Sequence, residues 1–217
     1  PVWDSDPEPG ETVTLTVLPG QYAIGPMNAA TVSIADAVII PGPNATVASG
    51  DWNAISTWSQ GRPPVAGDDV TVNHNLDLTN TTPVYARLTV SAGKTLTAWG
   101  TNVQLRATDV VVNGVMTHPE NWAGSTNGAG QWVMDHRCWI TCADLTVATG
   151  GWINVDGKGF QGATNYDGAG FGPGGGVAYT GGGHGGRGGN YGASSGGITY
   201  DAITNPTLPG SGGGAYQ

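Results

Sequence analysis

Arg87-Leu88-Thr89-Val90-Ser91-Ala92-Gly93-Lys94-Thr95-Leu96-Thr97 is the stretch on which the fold turns. A polar residue followed by apolar-x-apolar makes a short strand with one apolar face, Gly93 permits a tight turn, and Thr95-Leu96-Thr97 starts a second strand. The form recurs. Asp69-Val70-Thr71-Val72, Asp109-Val110-Val111-Val112 and Asp144-Leu145-Thr146-Val147 repeat the first strand, and successive starts lie 18, 22 and 35 residues apart. Gly114 and Gly150 follow the later two strands, ahead of Val115-Met116-Thr117 and Trp152-Ile153-Asn154-Val155. A strand-turn-strand unit about twenty residues long cannot bury its apolar face alone, so it predicts a solenoid in which each coil stacks on the next. The 35-residue interval predicts a loop insertion at about 117–133, where Thr, Asn, Gly and Pro concentrate.

The flanks differ from this centre. Glu11-Thr12-Val13-Thr14-Leu15-Thr16-Val17-Leu18 alternates with period two and stops at Pro19-Gly20, which predicts a half-buried strand and a turn within a small β cap or sandwich over 1–50. Residues 51–149 carry the repeats. Of the 38 glycines, 25 fall in 150–217, which predicts close-packed glycine-rich coils where only a residue without Cβ fits.

Composition supports an all-β reading. Two Lys, three Glu and 11% charged residues in 217 leave little of what exposed helices are built from. The glycines follow no collagen period, and eight Trp with 38% hydrophobic residues exceed what a solvated chain carries. A formal charge of −9 opposes binding to nucleic acid and anionic lipid, and no apolar run is long enough to span a bilayer. A first residue of Pro1 suggests removal of a leader and a secreted product, for which Asn44-Ala45-Thr46 and Asn80-Thr81-Thr82 are glycosylation sequons.

Trp58-Ser59-Gln60-Gly61-Arg62-Pro63-Pro64-Val65-Ala66-Gly67-Asp68-Asp69-Val70-Thr71-Val72 resembles W-x-x-G-x-x-P-x-x-G-D-x-V-x-V, a motif that opens right-handed parallel β-helix segments in large secreted or surface proteins, mostly bacterial. Ile153 to Gly159, Gly181 to Gly189 and Leu208 to Gly214 are similar to the glycine-rich coils of such proteins. The resemblance implies that fold for residues 51–217 and an adhesive or structural role. Read as chemistry alone, Asp68 accepts backbone N–H groups where the first strand begins. Trp52 and Trp58 either close the end of the stack or offer flat faces to a sugar.

Asp135-His136-Arg137-Cys138-Trp139-Ile140-Thr141-Cys142 is the densest reactive cluster. Cys138 and Cys142 form a disulfide only if the residues between them turn, because four residues of straight strand span about 13 Å against about 5.5 Å between bridged Cα atoms. The alternatives are buried thiols, or a zinc site using His118, His136 and both cysteines, although the usual second ligand pair is missing. As an enzyme, His136, Arg137, Asp135 and His118 would serve a polysaccharide lyase, with Glu120 nearby, but adjacent strand residues face opposite sides.

Trp122, Trp132, Trp139 and Tyr179 are the candidate ligand-binding aromatics for a polysaccharide, with Tyr166 and Tyr191 beside them. Asp156 and Asp167 lie next to glycines and are candidates for structural calcium, though the nine-residue repeat of calcium-binding rolls is absent. Asp4, Asp6, Glu8 and Glu11 form a second acidic group. His184 and Arg187 project from a glycine run that lacks the Lys-Ser/Thr ending of a phosphate loop. No cofactor is required by any of these readings.

The expectation is therefore an extracellular structural or adhesive protein whose partners are copies of itself or further coils of a parent chain. Gly212-Gly213-Gly214-Ala215-Tyr216-Gln217 lacks a polar cap and suggests another coil beyond it. The alternative is a carbohydrate-active protein, a lyase or a polysaccharide-binding module, on the same scaffold.

Overall fold

The computed structural model describes residues 11–34, 39–121, 126–166, 168–204 and 206–215, which form two units, 1–41 and 42–217. In the first, β1 (Glu11–Thr16) and β2 (Ala29–Ile34) make an antiparallel two-stranded sheet in which Val13 faces Val32 and Leu15 faces Ala30. Val13, Leu15 and Val32 are all more than half exposed.

The second unit is built from two parallel sheets, and the chain alternates between them. It opens with β3 (Pro43–Ala45), β4 (Gly50–Asp51) and a single 3-10 turn at Ile55–Thr57. Then come β5 (Asp69–Val72), β6 (Leu76–Leu78), β7 (Tyr85–Val90), β8 (Thr95–Ala98), β9 (Gln104–Val112) and β10 (Val115–Thr117). It closes with β11 (Trp139–Thr141), β12 (Asp144–Val147) and β13 (Trp152–Ile153). One sheet runs β3-β5-β7-β9-β11, with β12 also on β9, and the other runs β4-β6-β8-β10-β13.

The repeats noted in the sequence lie in register. Asp69, Arg87, Asp109 and Asp144 form one column, and Val70, Leu88, Val110 and Leu145 form the next inward one. On the facing sheet Leu76, Leu96, Met116 and Ile153 align. Alternation of side chains turns these columns to one side, and the shared register stacks like on like. Asn44 precedes Val70 in its column and is buried, with its side-chain amide donating to the Arg62 carbonyl.

A corner is written into the burial pattern. In β7 the alternation skips at Ala86-Arg87, and in β9 it skips at Thr108-Asp109, two sites that are paired in register. Two consecutive outward residues bend the strand, so Tyr85 and Ala107 join the core from one side of the corner and Leu88 and Val110 from the other.

The loop insertion lies between β10 and β11. Thr126 pairs with Trp132, and the Asn127 side chain closes the turn by accepting from Ala129 and Gln131 N–H groups. The parallel ladder begins at Pro43, earlier than the expected boundary at 50, because Pro43-Asn44-Ala45 already pairs with Asp69-Val70-Thr71.

The glycine-rich third departs further from expectation. No strand occurs among the described residues after β13; glycine segments instead bond to one another, as in Gly183 N–H to Gly174 O, Gly188 N–H to Gly197 O and Gly212 N–H to Phe171 O. Side chains that would define a strand face are missing, and backbones pack directly. A Cβ added at Gly197 would lie 1.8 Å from the Gly174 carbonyl oxygen. Gly197→Ala is therefore expected to cost about 1–3 kcal/mol by overpacking. Gly185→Ala, with nothing within 4 Å, is expected to be nearly neutral, and thermal denaturation of the two variants checks the contrast.

Candidate functional site

One end of the ladder is covered. Trp52 and Trp58 are each 2% exposed and meet edge to face at 5.0 Å, with the Trp58 indole N–H donating to the Trp52 carbonyl. Trp52 also stacks on buried Tyr85. Both tryptophans close the stack, and burial removes them as sugar platforms. The outer edge of β3 is occupied, since Val47 N–H donates to Thr57 O, Ser59 N–H to Ala45 O, and Thr46 pairs with Trp58.

Beneath them lies a buried ion pair. Asp68, 0% exposed, accepts two bonds from the Arg62 guanidinium and one each from Gly42 and Val65 N–H groups. Burial alone would push the Asp68 carboxyl up, yet Arg62 and the two N–H groups outweigh it and hold the pKa below its usual range. The role of Asp68 as an acceptor was readable in the motif. Its pairing with Arg62 was not, since Arg62 carried no signal beyond its place between Gly61 and Pro63.

At the opposite end the inward columns are uncovered. Leu88 and Val110 are buried, whereas Leu145 in the same column is 47% exposed. Val147 follows buried Val112 and is 47% exposed, Ile153 on the facing sheet is 36% exposed, and Val155 just beyond β13 is 46% exposed. Trp152 stands beside them, also exposed. β12 and β13 are terminal in their sheets, so among the described residues no strand pairs with either on its outer side. Apolar side chains and free main-chain groups coincide there, the combination that recruits another strand. Composition did not mark this site, because Leu145-Thr146-Val147 has the same sequence as buried Leu88-Thr89-Val90.

The reactive cluster serves the loop. Asn121, 2% exposed, accepts from Asp135 and His136 N–H groups and donates to the His136 and Lys158 carbonyls. The His136 ring accepts from Gly100 N–H and meets Trp99 edge to face. His118 is buried beside the Pro119 carbonyl, and burial lowers its pKa. Lys158 donates to Thr117 and to the His118 carbonyl. Arg137 lies over the Trp139 ring at 3.8 Å, and burial lowers its pKa. Asp135 and His136 are thus held by their main chain to Asn121, a hub with no sequence signal beyond its loop context, while Lys158 bonds the His118 carbonyl and Trp139 carries Arg137. His136 and His118 spend ring nitrogens on main-chain groups.

Cys138 and Cys142 are free thiols, so the disulfide expectation is corrected. β11 runs straight between them, paired residue for residue with Gln104, Leu105 and Arg106, and supplies none of the turn a bridge requires. Both cysteines pack with Ile140 against the core, and burial raises both pKa values, that of Cys138 to about 11.

The ligand-binding aromatics are dispersed. Trp132 packs against Phe160 and Phe171, Trp139 against Arg137, and Tyr179 stacks on Tyr191, so no ring contact joins one of the three to another. Tyr166 is exposed. Trp122, Asp167, Asp4, Asp6, Glu8, Tyr216 and Gln217 lie outside the described residues. Asp156 is exposed, and among the described residues no three His, Cys, Asp or Glu converge as metal ligands, which leaves the zinc arrangement of His118, His136, Cys138 and Cys142 unassembled.

In the glycine-rich part His184 lies 3.7 Å from Asp201 and edge-on to Tyr200, while Arg187 is exposed. Asp201 accepts from Ala202, Thr207 and Leu208 N–H groups, which hold its carboxyl well below the usual range despite desolvation. It ties the loop from Ala202 to Leu208. Among the described residues no helix is long and apolar enough to cross a membrane.

No family model matches the chain, and neither does any curated protein or solved structure.

Proposed function

We propose that this chain is a right-handed parallel β-helix acting as a structural or adhesive subunit of an extracellular surface or filamentous assembly, through strand addition at its uncovered edge. The fold part rests on chain order: strands from β3 to β11 alternate between two parallel sheets, and parallel crossovers are almost always right-handed. The functional part rests on one observation, the exposure of Leu145, Val147 and Ile153 on terminal strands whose equivalents one layer inward, Val110, Val112 and Met116, are buried. Soluble proteins seldom leave an apolar patch next to an open strand edge unless something docks there.

The carbohydrate reading has less support. His136 and His118 are bonded to main-chain groups, Arg137 lies over Trp139, and the ring contacts of Trp132, Trp139 and Tyr179 do not join them to one another. Concentration-dependent sedimentation of the full chain, with electron microscopy of the same samples, tests the proposal. Ordered oligomers or filaments that disappear in Leu145→Lys are expected. Discrete monomers at every concentration, together with release of unsaturated products from a uronate polymer, would overturn it.

A further inference from the structure

Among the described residues, two of the uncovered strand edges have matching chemistry. The first is the outer edge of β12. Ala148 N–H donates to Val112 O, so by alternation Thr146 and Asp144 also point their main-chain groups at β9 while Leu145 and Val147 point theirs outward. The second is the outer edge of β1. Val17 N–H donates to Asn28 O, so Val13, Leu15 and Val17 direct their main-chain groups to β2, and Thr12, Thr14 and Thr16 direct theirs to the free side.

The two surfaces also share a sequence. Leu15-Thr16-Val17-Leu18-Pro19-Gly20, Leu88-Thr89-Val90-Ser91-Ala92-Gly93 and Leu145-Thr146-Val147-Ala148-Thr149-Gly150 are all Leu-Thr-Val-x-x-Gly. In β7 that sequence is sandwiched between β5 and β9, and Leu88 and Val90 are buried. In β1 it sits in a two-stranded sheet with Leu15 73% and Val17 46% exposed. A lone pair of strands is marginally stable in water and gains most from a further strand and an apolar face to cover.

We propose that β1 of a second copy adds to β12 as the next parallel strand, with Leu15 beside Leu145 and Val17 beside Val147. This rests on the assembly reading above and names its partner. In that register the Leu145 N–H meets the Thr14 carbonyl and the Leu145 carbonyl meets the Thr16 N–H, so each free group finds a free group. Asp144 falls opposite Thr14, so no carboxylate opposes it across the new pair. The apolar face of the sheet pair then covers Leu145 and Val147 and extends their columns. At the far end of the ladder the outer edge of β3 is not free to serve as donor, because Ser59 and, just beyond the strand, Thr57 are already bonded to it. The contact joins two different surfaces, so it is heterologous and propagates from copy to copy.

Complementation tests it. Leu15→Lys and Leu145→Lys alter residues that are already exposed, and circular dichroism of each full-length variant checks that the fold is retained. Sedimentation should show loss of assembly in each variant alone and a one-to-one dimer, growing no further, when the two are mixed. A second measurement uses Val17→Cys and Val147→Cys in separate copies, where a short bismaleimide should link one copy to the other. Assembly of Leu15→Lys as in wild type, with loss in Leu145→Lys, would give the edge another occupant and overturn this inference while leaving the assembly reading intact. A wild-type monomer, with cross-linking confined within a single chain carrying both cysteines, would mean the strand folds back on its own ladder and would also overturn it. Undiminished assembly of both variants would overturn both readings.

Discussion

Asp68→Ala is expected to cost about 3–5 kcal/mol, because it leaves the Arg62 guanidinium buried and unpaired beneath the tryptophan cap. It also strips Gly42 and Val65 N–H groups of their acceptor, at the point where the first unit meets the first ladder strand in sequence. The same site sets an acid limb of stability. The folded carboxyl sits below the usual Asp range of about 3.9, so the pair contributes its full stability above that value and loses it as pH falls through the lower, folded pKa. Urea denaturation of wild type should therefore weaken below about pH 4. The Asp68→Ala midpoint should start lower at pH 7 and change less over the same window, and a variant within about 1 kcal/mol of wild type would show the pair to be dispensable.

Leu88→Ala should cost about 2–5 kcal/mol, the range for truncating a side chain packed on all sides. Leu145→Ala, in the same column and the same Leu-Thr-Val context, should cost only about 1 kcal/mol in a dilute monomer, because half of its side chain is already in water. The comparison isolates the effect of one missing layer. If assembly buries Leu145, the penalty should rise toward that of Leu88 at concentrations where the protein associates. Measuring both variants across a protein dilution series checks this, and equal costs at high dilution would mean that Leu145 is covered within the monomer.

Much of the ladder was legible in the primary structure because one rule governs it. Four apolar-x-apolar runs, three of them followed by a turn glycine, read as strands of a common series, and they stack in register. Gly93 and Gly150 do adopt positive φ in the turns assigned to them. The glycine-rich third was harder to read, since backbone packing against backbone leaves no side-chain pattern by which to tell a strand from a braced irregular segment. Spacing alone does not say whether the residues between Cys138 and Cys142 turn, and only the pairing with β9 shows that they stay extended and leave no bridge.

By itself, then, the sequence established an all-β chain with repeating short strands, a loop insertion after Thr117 and an acceptor role for Asp68. These follow from local chemistry: side-chain period, turn glycines and the reach of a short carboxylate. Which layer is last was decided only in three dimensions. Leu88-Thr89-Val90 and Leu145-Thr146-Val147 are the same three residues, and only the presence of a neighbouring strand on both sides or on one makes the first a core and the second an exposed edge.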